Sequence, residues 1–88
     1  MSQQEPLLTF PCSFPIKIMG LASEQFTPTM LALAAQYIDD MTQVQTQERP
    51  SKNGTYTALT LTFEAQSQDQ LDQLYRDFSA HPHVKMVL

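Results

Sequence analysis

The chain has one cysteine, two glycines and no tryptophan among its 88 residues. With Cys12 as the only thiol, no disulfide can close within the chain. One cysteine and two histidines cannot fill a four-ligand structural zinc site without carboxylates, and their positions, 12, 81 and 83, match no zinc spacing. No metal and no cofactor are therefore expected. So little glycine also excludes a collagen-like repeat. Basic residues are scarce: five Lys+Arg stand against nine Asp+Glu, for a formal net charge of −4. Nucleic-acid binding rests on neutralising phosphates, so an acidic domain starts at a disadvantage. The same holds for an anionic membrane surface. No apolar run reaches the roughly 18 residues of a membrane-spanning helix. The first residues, MSQQEPLLTF, hold no Lys or Arg and do not read as a secretory signal. Together with the lone cysteine, this points to a reducing cytoplasm.

What is present suits one small domain. Hydrophobic residues make up 42% of the chain and charged residues only 16%, while 11 Gln and 9 Thr supply polar surface without charge. A chain of this length buries roughly 60–65% of its unfolded surface, enough for one two-layer core. Residues 1–9 read as a loose lead-in and residues 10–88 as the domain.

Phe14, Ile16 and Ile18 alternate with Pro15, Lys17 and Met19, which predicts a strand with the first set facing the core. Gly20 is expected to end it. Thr27 and Pro28 suit the cap and first position of a helix, with Phe26 and Leu31 as a staple, and an extension forward into some of Leu21 to Gln25 stays open. Met30, Ala34, Tyr37, Ile38 and Met41 then repeat at helical spacing. Residues from Met41 to Arg49 alternate weakly and predict an exposed edge strand with Gln43, Gln45 and Gln47 in a row. Pro50 to Gly54 is a turn, in which Gly54 is expected at positive φ after Asn53. Tyr56 to Ala65 is the clearest strand, with Leu59, Leu61 and Phe63 on one side. Ser67 and Gln70 fit a capping box. Leu71, Leu74, Tyr75 and Phe78 make the stripe of a second helix, which His81-Pro82 ends. Val84 to Leu88 is a last strand.

The order is β-α-β-β-α-β. Right-handed crossovers give an α+β, ferredoxin-like fold: a four-stranded antiparallel sheet, order 4-1-3-2, with both helices on one face. Phe10-Pro11, the run from Phe14 to Gly20, the run from Arg49 to Tyr56, Leu74-Tyr75, and Val84-Lys85-Met86-Val87-Leu88 resemble the YbeD family of small bacterial proteins. The resemblance covers about residues 10–88. It implies the ferredoxin-like fold, a similarity to ACT regulatory domains, and a link to lipoate metabolism drawn from gene neighbourhood. Amino-acid-binding ACT domains carry a Pro-Gly pair after the first strand. Here that stretch reads Met19-Gly20-Leu21-Ala22-Ser23, with the glycine and without the proline.

Catalysis would need a cleft and an acid–base pair, and the sequence offers neither, so no enzyme is expected. Cys12 and His83 fall at opposite ends of the first strand, with Cys12 expected near Leu88. His81 and His83 read as solvated, as do Asp39 and Asp40, which at a helix C-terminus would oppose its dipole. One end of the sheet gathers Gly20, Lys52, Asn53, Gly54, Tyr56 and His83, a set able to hold a small anion. The open sheet face is expected to show Lys17, Met19, Tyr56, Thr60, Thr62, Glu64, Lys85, Val87 and the row of Gln43, Gln45 and Gln47. Only Tyr56 there could stack on a base, where an RNA-recognition domain uses two or three aromatics. The last strand, with Lys85, Met86, Val87 and Leu88, is a candidate partner-binding edge. The expected role is a non-catalytic regulatory or interaction module that binds a protein partner or itself as a weak homodimer. The alternatives are a small-metabolite or anion-binding ACT-like domain and an RNA-binding domain.

Overall fold

The computed structural model describes residues 9–88. The lead-in placed at residues 1–9 lies, but for Thr9, outside the described residues. Strand β1 spans Cys12–Leu21. Ile16 and Ile18 are fully buried and Phe14 packs against the same core, as the alternation predicts. Gly20 does not end the strand. It lies within the sheet, opposite Thr57 on one side and Val84 on the other. A Cβ at Gly20 would stand 2.3 Å from the His83 carbonyl oxygen and 2.4 Å from the Phe26 ring. The missing side chain thus lets a helix and a neighbouring strand close on this point.

Helix α1 spans Phe26–Ala34. Its N-cap residue is Gln25, which makes no side-chain cap bond, so the cap falls two residues before the one expected at Thr27. Burial of Phe26 draws the helix start inward. Pro28 remains in the first turn, where a missing N–H leaves no bond unmade. Met30, Ala34 and Ile38 are buried, as their spacing predicts, but the helix stops at Ala34. A turn and a short 3₁₀ segment, Met41–Gln43, carry the rest of the stripe. Asp40 caps this segment by accepting from the Thr42 N–H at 3.1 Å. Asp39 and Asp40 therefore do not face a helix C-terminus, and the expected conflict with a dipole does not arise.

Strand β2 spans Gln45–Pro50 and every residue in it is exposed. It starts later and ends later than Met41 to Arg49, because the 3₁₀ segment takes Met41 to Gln43. Strand β3 spans Tyr56–Ala65, with Leu59, Leu61, Phe63 and Ala65 buried. The connecting loop is longer than a two-residue Asn-Gly turn. The Ser51 N–H donates to the Tyr56 carbonyl at 2.8 Å, and the Gly54 N–H to the Ser51 carbonyl at 3.0 Å. Gly54 takes φ 77°, as expected, whereas no other residue type in the described chain has positive φ.

Helix α2 spans Gln68–Ala80 and buries Leu71, Leu74 and Phe78. The Ser67 hydroxyl accepts from the Gln70 N–H at 3.1 Å. Gln70 reaches back one residue beyond the cap, accepting from the Gln66 N–H at 2.8 Å, and donates to the Tyr37 carbonyl at 2.9 Å. The Tyr37 hydroxyl donates to Asp77, which raises the Tyr37 pKa above its ordinary value. These bonds tie the turn after α1 to α2. Ser67→Ala removes the cap acceptor and is expected to cost about 1 kcal/mol. A urea midpoint equal to that of the unaltered protein would show that the cap contributes nothing.

Strand β4 spans Val84–Val87. The sheet order is β2-β3-β1-β4, antiparallel throughout, with one core between the sheet and the two helices. This is the ferredoxin-like arrangement the element order predicts. The register of β4 differs in one respect. Val87 pairs with Ile18 and Met86 with Met19, but Val84 pairs with Gly20, so Lys85 is an extra residue in a bulge. Val87, expected on the open face, packs against the core instead, and Met86 shares the open face with Met19. Leu88 exchanges two backbone bonds with Lys17, at 2.8 and 3.1 Å, and so lies beside the middle of β1 rather than beside Cys12.

Candidate functional site

The end of the sheet where β1 leaves and β4 enters gathers the loops the sequence singles out. The Leu21 N–H donates to the His83 carbonyl at 3.3 Å, and the Ala22 N–H to the Thr55 carbonyl at 2.9 Å. Gly20, the 51–55 loop, Tyr56 and the His81–His83 turn therefore meet in space. Their availability differs. Gly20 is buried, and its small size has the packing reason given above. Lys52, Asn53, Gly54 and His83 are exposed, and Tyr56 is half-buried. His81 Nδ1 accepts from the His83 N–H at 3.1 Å, and the two rings meet edge-on with centroids 5.1 Å apart. That bond uses the lone pair of His81 Nδ1.

Cys12 pairs with Ala65 at the far end of β1 from His83. Nine residue steps at about 3.3 Å place them about 30 Å apart along the strand. Cys12 and His83 cannot act as a nucleophile and base. Among the described residues no three His, Cys, Asp or Glu side chains converge as metal ligands. Among the described residues no helix is long and apolar enough to cross a membrane.

The open face carries the feature that sequence reasoning missed. Opposite the buried Ile16 and Ile18, β1 presents Lys17 and Met19. Across the ladder β3 presents Tyr56, Ala58, Thr60 and Thr62, and β2 presents Gln45, Gln47 and Arg49. A hollow of about 220 Å³ lies over the small Ala58, lined by Lys17, Gln47, Arg49, Ala58 and Thr60. No carboxylate lines it. Lys85, thrown onto this face by the bulge, holds its Nζ 6.0 Å from the centre of the Tyr56 ring. The signal was present: the row of Gln45 and Gln47, continued by one strand period, reaches Arg49.

The two sheet edges differ. β2 carries Glu48, Arg49 and the N–H-less Pro50, features that discourage strand addition. β4 carries Lys85 alone. Among the described residues the large hydrophobics that stay exposed are Leu21 at 49%, at the end of β1, and Met86 at 49% and Leu88 at 61%, in or just after β4. Tyr75 on α2 donates to the Leu88 carbonyl at 3.3 Å, and burial raises its pKa.

The sequence and the fold both have counterparts. A family model described as a protein of unknown function (DUF493) matches residues 5–88. A UPF0250 protein of Paraburkholderia phytofirmans is 44% identical over 87 residues, covering 99% of this chain and 98% of that protein. The solution structure of protein HP0495 from H. pylori superposes with a TM-score of 0.73 at 15% identity, over 97% of this chain and 89% of that one. The ACT domain from the GTP pyrophosphokinase of Chlorobium tepidum superposes with a TM-score of 0.62 at 14% identity, over 89% of this chain and 96% of that one. At such identities the two structures speak for the fold alone.

Proposed function

Because the chain belongs to the DUF493 family, to which its resemblance to YbeD proteins pointed, we propose that it is a non-catalytic interaction module of ACT-like fold. It works through the β4 edge, pairing weakly with a second copy or with a partner protein. The observation that carries this reading is the exposure of Met86 and Leu88 along an edge that only Lys85 blunts. Lys17 and Leu88 form a pair that exchanges both backbone bonds, so in an antiparallel ladder the neighbouring Val87 turns its N–H and C=O outward. Those groups are available to an added strand. Burial of the exposed apolar surface adds roughly 25 cal/mol per Å², set against the translational and rotational losses of association. The balance is a weak dimer.

Sedimentation equilibrium at about tens of micromolar and pH 7 tests it, in the range where weak association of this kind shows. The expected result is a mass rising above 10.0 kDa with concentration. Met86→Lys with Leu88→Lys is expected to return it to a monomer. A single 10.0 kDa species throughout would rule out self-pairing. The regulatory role, the cytoplasmic setting and the link to lipoate metabolism belong to this same proposal. Lipoate metabolism is where a partner would be sought first.

A second reading has one observation in its favour. Lys52 and His83 stand exposed where the loops meet, so a small metabolite or anion could lodge at that end of the sheet. It would have to do so without the Gly20 backbone, which is enclosed.

A further inference from the structure

We infer that the open sheet face around Lys17 and Arg49 is a docking surface for an extended, acidic segment of a partner protein. The inference rests on the reading of the chain as an interaction module but uses a different surface from the β4 edge.

The first ground is charge. The chain has a net charge of −4, yet three of its five basic residues, Lys17, Arg49 and Lys85, lie on this face. Of the acidic residues, Glu64 is the one that strand alternation puts on the face, opposite Ser13. It lies four residues along β3 from Thr60, about 13 Å at the usual rise. That exceeds the screening length of about 8 Å at physiological salt. The hollow therefore carries a positive local potential on an acidic protein, which suits an acidic partner.

The second ground is spacing. Lys17 pairs with Thr60, Thr60 with Gln47, and Arg49 follows Gln47 by two residues. Two strand spacings of about 4.8 Å and two residue rises separate the two cations by about 12 Å at the backbone. Carboxylates on one side of an extended chain recur about every 7 Å, so a pair two to four residues apart spans that gap. The third ground is the apolar rim. Met19, Met86 and the Lys85-covered Tyr56 flank the cations, and methionine adapts to varied apolar side chains.

Single-stranded RNA is the competing polyanion. The face offers it one aromatic where stacking recognition uses two or three.

The test is fluorescence anisotropy with a labelled peptide of alternating glutamate and leucine. Its glutamine-for-glutamate counterpart and a single-stranded RNA of equal length serve as comparisons. The acidic peptide is expected to bind, with affinity falling as salt rises. Lys17→Glu with Arg49→Glu should weaken it at least about tenfold. Both residues are exposed, so the urea midpoint of the double variant reports whether it still folds. Equal binding of the acidic and amide peptides, tighter binding of the RNA, or indifference to the charge reversal would each overturn the inference. Anisotropy read at protein concentrations where sedimentation gives a 10.0 kDa monomer keeps the outcomes separate. Peptide binding that survives in a monomer supports the face while sedimentation judges the edge.

Discussion

Gly20→Ala is expected to lower the unfolding free energy by about 3 kcal/mol, the upper end of the range for overpacking a well-packed site. A domain of this length has roughly 4–13 kcal/mol in total. The added methyl would meet two obstacles at once. One is the His83 carbonyl oxygen at 2.3 Å, a backbone atom held in place by its bond from the Leu21 N–H. The other is the Phe26 ring, with atoms at 2.4 and 2.9 Å. A ring can turn aside at modest expense, but this one is fully enclosed in the core. The carbonyl can yield only if the start of β4 moves off β1. Two further variants separate the causes. Phe26→Leu in the Gly20→Ala background relieves the ring contact and leaves the carbonyl contact, so it should not restore stability. Gly54→Ala puts a methyl into open space at φ 77°, so only the backbone penalty of about 1–2 kcal/mol applies. Urea denaturation of the set measures all three. A Gly20→Ala midpoint no lower than that of Gly54→Ala would show that the β1–β4 junction is softer than its packing indicates.

The same junction shows what the sequence could and could not reveal. Alternation over Phe14 to Ile18 and over Leu59 to Phe63 identifies the core faces of β1 and β3, because one buried face forces a period of two. The stripe of Leu71, Leu74 and Phe78 and the Ser67 cap identify α2 for the same kind of reason. These are local signals, and the four-stranded order follows from them with handedness alone. Gly20 carries no such signal. A glycine after a strand reads as punctuation, and only the approach of Phe26 and His83, distant in sequence, turns it into a packing site. The bulge at Lys85 is also invisible locally. A four-residue strand does not announce an extra residue, yet that residue decides that Val87 faces the core and Met86 the open side. Thr27-Pro28 shows the opposite failure. Its capping chemistry is sound, but burial of Phe26 starts the helix earlier and overrides it. At the candidate sites, the meeting of the 51–55 loop with His83 was legible from topology. The Lys17–Arg49 hollow was legible only in part: the period of the Gln45 and Gln47 row reaches Arg49, but the hollow itself depends on register across three strands and on Ala58 being small between larger neighbours.

Phe78→Ala is expected to be the most damaging truncation, at about 3–5 kcal/mol. Phe78 is 0% exposed and lies in the last turns of α2, the helix that packs on β3 and β4. The cost has two parts: the transfer of an aromatic side chain out of the core, and the cavity left where the surroundings cannot collapse. Collapse is resisted here. The neighbouring buried residues sit on strands whose positions are set by the β1–β3 ladder of ten consecutive pairs. The helix itself is pinned at its start by the Ser67 cap and through Gln70 to the Tyr37 carbonyl. Tyr75, one turn earlier, supplies the contrast. It is half-buried and its hydroxyl reaches the Leu88 carbonyl, so Tyr75→Phe removes one hydrogen bond and no core volume. That change should cost about 1 kcal/mol. In a domain whose total stability is of the same order as the Phe78 loss, Phe78→Ala should leave a large unfolded fraction at 37 °C, while Tyr75→Phe remains folded. Far-ultraviolet circular dichroism on heating compares them directly. A Phe78→Ala melting curve that overlays that of Tyr75→Phe would mean that α2 relaxes into the space, and that the core tolerates loss on that side.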